Sequence, residues 1–194
     1  MGGDSKIPLA KAVQVAQRFL KLIQPHVVKA EIAGSVRRQC KEVGDIEIVC
    51  VEDPLNALDN LFHKGYKGIV VDGPRLKRFK YPEAKIQIEL YITSEQDFGR
   101  ILAIRTGSSA YSHIKLATTW NRNGWCGTSE GLRRKKEREK KGNVWKLKPE
   151  FKGRETFPPP FYTEADFFDF LEIEWIPPSS RNWKSKFDKI NYST

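Results

Sequence analysis

Across residues 7–23 the apolar positions Val13, Ala16, Leu20 and Ile23 recur with helical spacing, and Lys11, Arg18 and Lys21 fall elsewhere around the turn. With Pro8 suited to the first turn, this predicts an amphipathic helix. The period then changes to two. VKAEIAG reads as a strand ending at Gly34, and DIEIVCV (45–51) reads as a second strand, rich in β-branched residues. LNALDNLFHKG, opened by Asp53-Pro54 and closed by Gly65, reads as a short helix. Residues 69–73, 75–81 and 85–92 follow as strands. The turn signals Asp72-Gly73-Pro74 and Tyr81-Pro82-Glu83 predict an antiparallel hairpin series.

Past Thr93 the pattern turns helical. Ser94-Glu95-Gln96-Asp97 has the form of a capping box before a helix over FGRILAI. Thr106-Gly107-Ser108 breaks that helix and caps another running to about Asn123-Gly124. The charge run RRKKEREKK (133–141) is expected to be a mobile hairpin or loop, and residues 149–162 carry four prolines with little periodicity. YTEADFFDFL (162–171) reads as a short capped helix, followed by a polar tail from 177. No internal repeat is visible. The organisation predicted is a β-rich unit over 1–93, a helical and basic unit over 94–182, and a tail over 183–194.

Alternation along the strands has a chemical consequence. Asp45 and Glu47 share one face while Ile46 and Ile48 take the other. In KIQIELYI, Ile86, Ile88 and Leu90 share the core face and Glu89 points the opposite way. If the two strands are neighbours, three carboxylates line one polar surface. Carboxylates so close repel one another and call for a cation. Mg2+ takes oxygen ligands and commonly binds through carboxylates and substrate phosphates. The competing reading is an ordinary solvent face of an amphipathic sheet.

Upstream, GSVRR shifts the balance. Gly34 lets backbone approach a phosphate, Ser35 donates from its hydroxyl and N–H, and Arg37 and Arg38 add charge-assisted donors. A phosphate-gripping turn beside a metal-binding strand is what phosphoryl transfer needs. The formal net charge of +10 favours anionic partners such as nucleic acid or nucleotides. The three cysteines form no CxxC pair, which argues against a disulfide framework and a zinc site. Neither a signal-peptide core nor a membrane-spanning run is present in the sequence. The chain is expected to be soluble and intracellular, cytoplasmic or nucleoid-associated, or in the host cytoplasm if viral.

GSVRRQCKEVGDIEIV resembles the signature of the DNA polymerase β-like nucleotidyltransferase superfamily, and of family X DNA polymerases in particular. IQIELYITSEQDFGRILAIRTGS is similar to the family's third-carboxylate strand, following helix and Thr-Gly-Ser turn. GTSEGLRR and YTEADFFDFLEIEWIPPSSRN resemble its thumb segment and C-terminal segment. The matches keep family order over roughly residues 7–182. The resemblance implies an α+β fold: a nucleotidyltransferase palm, with a small mixed sheet and helices, followed by a polymerase-β-like thumb. It implies that Asp45, Glu47 and Glu89 are the catalytic residues and hold two Mg2+ ions, with Mn2+ able to substitute. Glu89 serves the ion near the primer 3′-hydroxyl. Gly34, Ser35 and Arg38 grip the incoming triphosphate, and Arg105, Thr106, Gly107 and Ser108 sit beside its sugar and base.

The implied activity is DNA-directed DNA synthesis, with short gap filling in repair as its setting, by a monomer acting on a DNA primer/template and a nucleoside triphosphate. Arg133, Arg134, Lys135, Lys136, Arg138, Lys140 and Lys141 are the candidate contacts to nucleic-acid phosphates. Three departures stand out. Two carboxylates are Glu where the family has Asp. Arg105 stands where it has an aromatic residue. The third departure is at the amino-terminal end, and in addition the helix after Thr106 is one residue longer than the family's. The family's amino-terminal lyase domain with its helix-hairpin-helix elements has no counterpart in these residues, so lyase activity is not expected of them, and a partner protein is a candidate to supply that DNA binding. The alternatives are a nucleotidyltransferase acting on RNA or another acceptor, and a non-catalytic nucleic-acid-binding module.

Overall fold

The computed structural model describes residues 6–62, 68–81 and 85–184. The first half runs β1 (Ile7–Pro8), α1 (Leu9–Ile23), β2 (Val27–Ile32), α2 (Gly34–Arg37), β3 (Glu42–Val43), β4 (Asp45–Glu52), α3 (Leu58–Phe62), β5 (Ile69–Asp72), β6 (Leu76–Tyr81) and β7 (Ile86–Thr93). β1 pairs with β3. The other five strands form one mixed sheet in the order β2-β4-β7-β6-β5, in which β4 and β7 are parallel and the remaining pairs antiparallel. The predicted hairpin series is present, and the two carboxylate-bearing strands are neighbours. His63, Gly65 and the turn at Pro82-Glu83 lie outside the described residues, as does the tail beyond residue 184.

The two faces of the sheet differ as the alternation requires. Ile46, Ile48, Cys50, Ile88 and Leu90 pack with Phe19 of α1, Phe62 of α3 and Phe79 of β6 in one core. Each such large side chain contributes about 1.5–3 kcal/mol on burial. On the other face, Val49 and Tyr91 pack with Ala33, Phe98 and Leu102. The last two belong to α4 (Phe98–Thr106). α4 therefore sits over Val49 and its partly buried neighbour Val51, downstream of Asp45 and Glu47 on the same strand face.

The second half continues with α5 (Ser109–Tyr111), a π turn (Ser112–Ala117), α6 (Thr118–Arg122), the β8 (Trp125–Thr128)–β9 (Gly131–Arg134) and β10 (Arg138–Lys141)–β11 (Val144–Leu147) hairpins, and α7 (Glu164–Leu171). The helix expected after Ser108 is present, with its middle wound as a π turn. Such a turn takes up an extra residue without ending the helix. Phe161, Phe167, Phe168 and Leu171 of the C-terminal segment pack with Tyr111, Trp120 and Trp125. Trp120 and Trp125 are core residues.

Two expectations need correction. Residues 133–141, expected as a mobile hairpin or loop, take the hairpin alternative in part and are not a loop: they span the end of β9, a 3-10 turn (Lys135–Glu137) and β10, each strand belonging to a hairpin. The reason is that the run carries its own anchors. Glu137 is buried and accepts hydrogen bonds from Thr156 N (2.9 Å) and Thr156 Oγ1 (2.6 Å), and Arg138 pairs with Glu155. The Ser94 capping box is also missing. Ser94 makes no side-chain cap, and Asp97 is held instead by Arg100 Nε at 2.7 Å. The capping box lies at α7, where Thr163 Oγ1 accepts from Asp166 N and Asp166 Oδ2 accepts from Thr163 N.

Candidate active site

β4 and β7 bring the three carboxylates together by register. Glu47 lies directly opposite Glu89 in the parallel pair, and Asp45 lies opposite Gln87. Adjacent strands are about 4.8 Å apart, so the acidic groups share one electrostatic environment. Burial, then the Glu89 charge, raises the Asp45 carboxyl above its ordinary value. Burial, then the Asp45 charge, pushes Glu47 up to about 7, while Arg105 and Arg38 pull against the rise.

Glu89 has partners that the other two lack. Its Oε1 accepts from Arg78 Nε (2.9 Å) and Gln87 Nε2 (3.0 Å), with Arg78 Nη2 at 2.8 Å, and its Oε2 accepts from the Tyr91 hydroxyl. Among the described residues no three acidic, thiol or imidazole groups converge on one metal position as the side chains stand. The donor set itself, three carboxylates and therefore oxygen-only, suits a hard divalent cation. Filling such a site requires Glu89 to share its oxygens with the ion.

The GSVRR turn abuts this row. Gly34 adopts φ +59°, and a Cβ there would overlap Glu47 Oε2. The glycine thus seats the Glu47 carboxylate, a use the sequence did not suggest. Ser35 Oγ and Arg38 Nε are buried with no hydrogen-bond partner among the described residues. Both belong to the predicted phosphate grip, and both are donors left free for a ligand. Arg37 is committed elsewhere: Nη1 donates to Thr106 Oγ1 (2.7 Å) and Nη2 to Glu164 Oε2 (2.9 Å). Arg38 Nη1 donates to Thr106 O at 2.8 Å, so the two turns are stitched together. Glu164 in turn accepts from the fully buried Arg181 at 2.6 Å. Burial acts to raise the Glu164 carboxyl, but the hydrogen bonds from Arg37 and Arg181 outweigh it and hold the group below its ordinary range.

The Thr-Gly-Ser turn is largely occupied by these internal bonds. Thr106 is fully buried, and Ser108 Oγ accepts from Tyr111 N and donates to Trp183 O at 2.8 Å. A Cβ on Gly107 would crowd the Tyr111 ring. The polar atoms of Thr106 and Ser108 thus shape the turn. Arg105 stacks its guanidinium 3.8 Å over the Tyr91 ring, with Nε unpartnered. It lines a cleft of about 600 Å3 with Arg75, Arg100 and Ser129.

The basic run divides. Arg133 stacks on Phe157 at 4.7 Å, and the Arg138 side chain is 8% exposed against Glu155. Lys136, Lys140 and Lys141 are exposed, and Arg134, Lys135 and Lys136 line one depression. Sequence reasoning assigned no role to Arg78, Gln87, Tyr91, Glu164 or Arg181. A signal existed for Arg78: alternation in RLKRFKY sets it opposite Phe79, hence on the carboxylate face.

The solved structures similar to this chain include Leishmania infantum polymerase beta in two complexes. The ternary P/T complex matches with a TM-score of 0.66 at 18% identity, over 93% of this chain and 78% of that one. The ternary gap complex matches with a TM-score of 0.67 at 17% identity, over 93% and 72%. No protein-family model matches the chain. No curated protein sequence matches it. At these identities the likeness is one of fold: the chain has a polymerase-β-like α+β fold. Among the described residues no helix is long and apolar enough to cross a membrane.

Proposed function

We propose that the chain is a nucleotidyltransferase of the family X DNA polymerase type, which joins a nucleoside monophosphate to a DNA primer 3′-hydroxyl and serves gap filling in repair. The observation that carries this reading is the three-carboxylate row on β4 and β7 beside two buried, unpartnered donors of the GSVRR turn. Asp45, Glu47 and Glu89 are the residues to hold two Mg2+ ions, with Mn2+ able to replace them. Held there, the ions would supply charge neutralisation for the triphosphate and for the oxygens that attack and leave in an in-line displacement. Ser35 and Arg38 bind the triphosphate oxygens, and Gly34 leaves room for the Glu47 carboxylate beside them. Arg37, through Thr106 and Glu164, keeps the turn in place. Glu89 orients the 3′-hydroxyl side. The 3′-hydroxyl gives up its proton to solvent water as its oxygen bonds to the α-phosphorus, the bond from that phosphorus to the oxygen bridging to the β-phosphate breaks, and pyrophosphate leaves.

Lys136, Lys140 and Lys141 are the side chains best exposed to take nucleic-acid phosphates. The likeness to ternary complexes of polymerase beta supports DNA and a nucleotide as the substrates. The test is extension of a labelled DNA primer with Mg2+ on gapped, open-template and single-stranded substrates. Template-matched extension, strongest on the gap, is expected. No extension on any DNA by folded protein rules out the DNA polymerase reading and directs the search to RNA or other acceptors.

A further inference from the structure

We propose that Arg78 is the internal counter-ion and positioning residue of the third carboxylate, occupying beside Glu89 the electrostatic role that a divalent cation takes over when the site fills. The inference rests on the metal-binding reading above and goes beyond it by assigning a residue and a competition.

The argument begins with register. Arg78 of β6 lies opposite Glu89 of β7, and Glu89 lies opposite Glu47 of β4. One basic and two acidic side chains thus form a straight row across three strands, on the face away from Phe79, Ile88 and Ile48. In an antiparallel pair, directly opposed Cβ atoms stand about 4.5–5.5 Å apart, within reach of an arginine–carboxylate bond. Glu89 is 7% exposed and lies beside two further carboxylates. A buried carboxylate in such company needs a bonded cation. Among the described residues, Arg78 is the cation hydrogen-bonded to a member of the triad.

The bonding also fixes the carboxylate's orientation. Two nitrogens of Arg78 and the amide of Gln87 converge on Oε1, while the Tyr91 hydroxyl holds Oε2. Arg105, stacked on the Tyr91 ring, stiffens that side. Arg78 has a side-chain exposure of 34% against 9% for Glu89, so the arginine has room to withdraw while the carboxylate stays. A cation entering between Glu47 and Glu89 meets the Arg78 charge as a repulsive neighbour. The arginine therefore holds the carboxylates together when no metal is bound and weakens cation binding, while keeping Glu89 in the orientation that turnover requires.

The experiment compares wild type with Arg78→Ala, Arg78→Lys, Glu89→Gln and the double variant Arg78→Ala/Glu89→Gln. Melting is measured without metal and across a Mn2+ titration, free Mn2+ is followed by electron paramagnetic resonance, and turnover is measured alongside. Metal-free Arg78→Ala should melt below wild type, and Arg78→Lys should recover most of the loss. The Arg78→Ala effect on melting should vanish in the Glu89→Gln background. Mn2+ should bind Arg78→Ala at least about threefold more tightly and raise its melting temperature more than that of wild type. Turnover should fall about 10–100-fold, with the nucleotide KM within about twofold because Ser35 and Arg38 are untouched. Unchanged metal-free melting, equal losses with and without Glu89, or Mn2+ binding no tighter than wild type overturns the proposal. If wild type itself binds no Mn2+, the metal-binding reading fails, and with it the competition assigned here; the metal-free cycle then separately reports whether Arg78 still acts on Glu89.

Discussion

Glu47 Oε2 occupies the space over the α-carbon of Gly34 where any side chain would have to stand. The phosphate-gripping turn and the carboxylate strand are therefore fitted to each other at one atom. Gly34 also sits at φ +59°, a conformation that costs an L-residue about 1–2 kcal/mol. Gly34→Ala should lower the melting temperature and expel the Glu47 carboxylate from its seat. Turnover is expected to fall more than about 100-fold, from loss of geometry. Thermal unfolding and primer extension, run side by side, check both effects.

Ser35 Oγ is buried with no hydrogen-bond partner among the described residues. Removing it leaves no group unsatisfied, so Ser35→Ala should fold with unchanged or slightly raised stability. The nucleotide KM should rise, by about 10-fold for one lost hydrogen bond to a charged phosphate. Steady-state kinetics with a melting curve separates the two. A large loss of stability would show that the hydroxyl has a structural partner after all.

Glu164 ties Arg37 of the first half to Arg181 near the described end of the chain. Its carboxyl is held below the ordinary value, so its contribution to stability is present above that value and lost as pH falls below it. Glu164→Gln should cost about 3–5 kcal/mol near pH 7, because the fully buried Arg181 loses its counter-charge and the half-buried Arg37 keeps only Glu31, at 3.7 Å. The gap between variant and wild type should narrow from pH 5 towards pH 3. Urea unfolding across that range measures it.

The basic run should divide by exposure. Changing Lys136, Lys140 and Lys141 together to Ala should weaken DNA binding on all sequences and reduce the salt slope by about one for each phosphate no longer neutralised. Arg138→Ala should instead reduce stability, since its guanidinium pairs with Glu155. Binding titrations between low and moderate salt, with melting curves, distinguish the two classes.

What was legible in the sequence depended on the range of the interaction. Period-two alternation puts Asp45, Glu47 and Glu89 on one face as a matter of backbone geometry, and the turn residues after β5 led to the correct antiparallel series. Partners far along the chain left no local trace. Arg37 reads as a phosphate ligand in GSVRR, yet its partner Glu164 lies 127 residues away. The run 133–141 reads as a solvated loop because the groups that anchor it, Glu155 and Thr156, sit in a proline-rich stretch without periodicity. Ser94 and Asp97 satisfy the spacing of a capping box, but Arg100 competes successfully for the Asp97 carboxylate. The fold and the acidic row were thus readable, and the arginine network that supports them was not.

The most direct measurement of the central claim is Mg2+-dependent incorporation of a labelled nucleotide at a primer 3′-hydroxyl by wild type and by Asp45→Asn, with melting curves to confirm that both are folded. The three-carboxylate site predicts incorporation by wild type, none without a divalent cation, and a loss of at least about 1,000-fold in the variant. Incorporation that survives Asp45→Asn at the wild-type rate would contradict the assignment of the reaction to this row of residues.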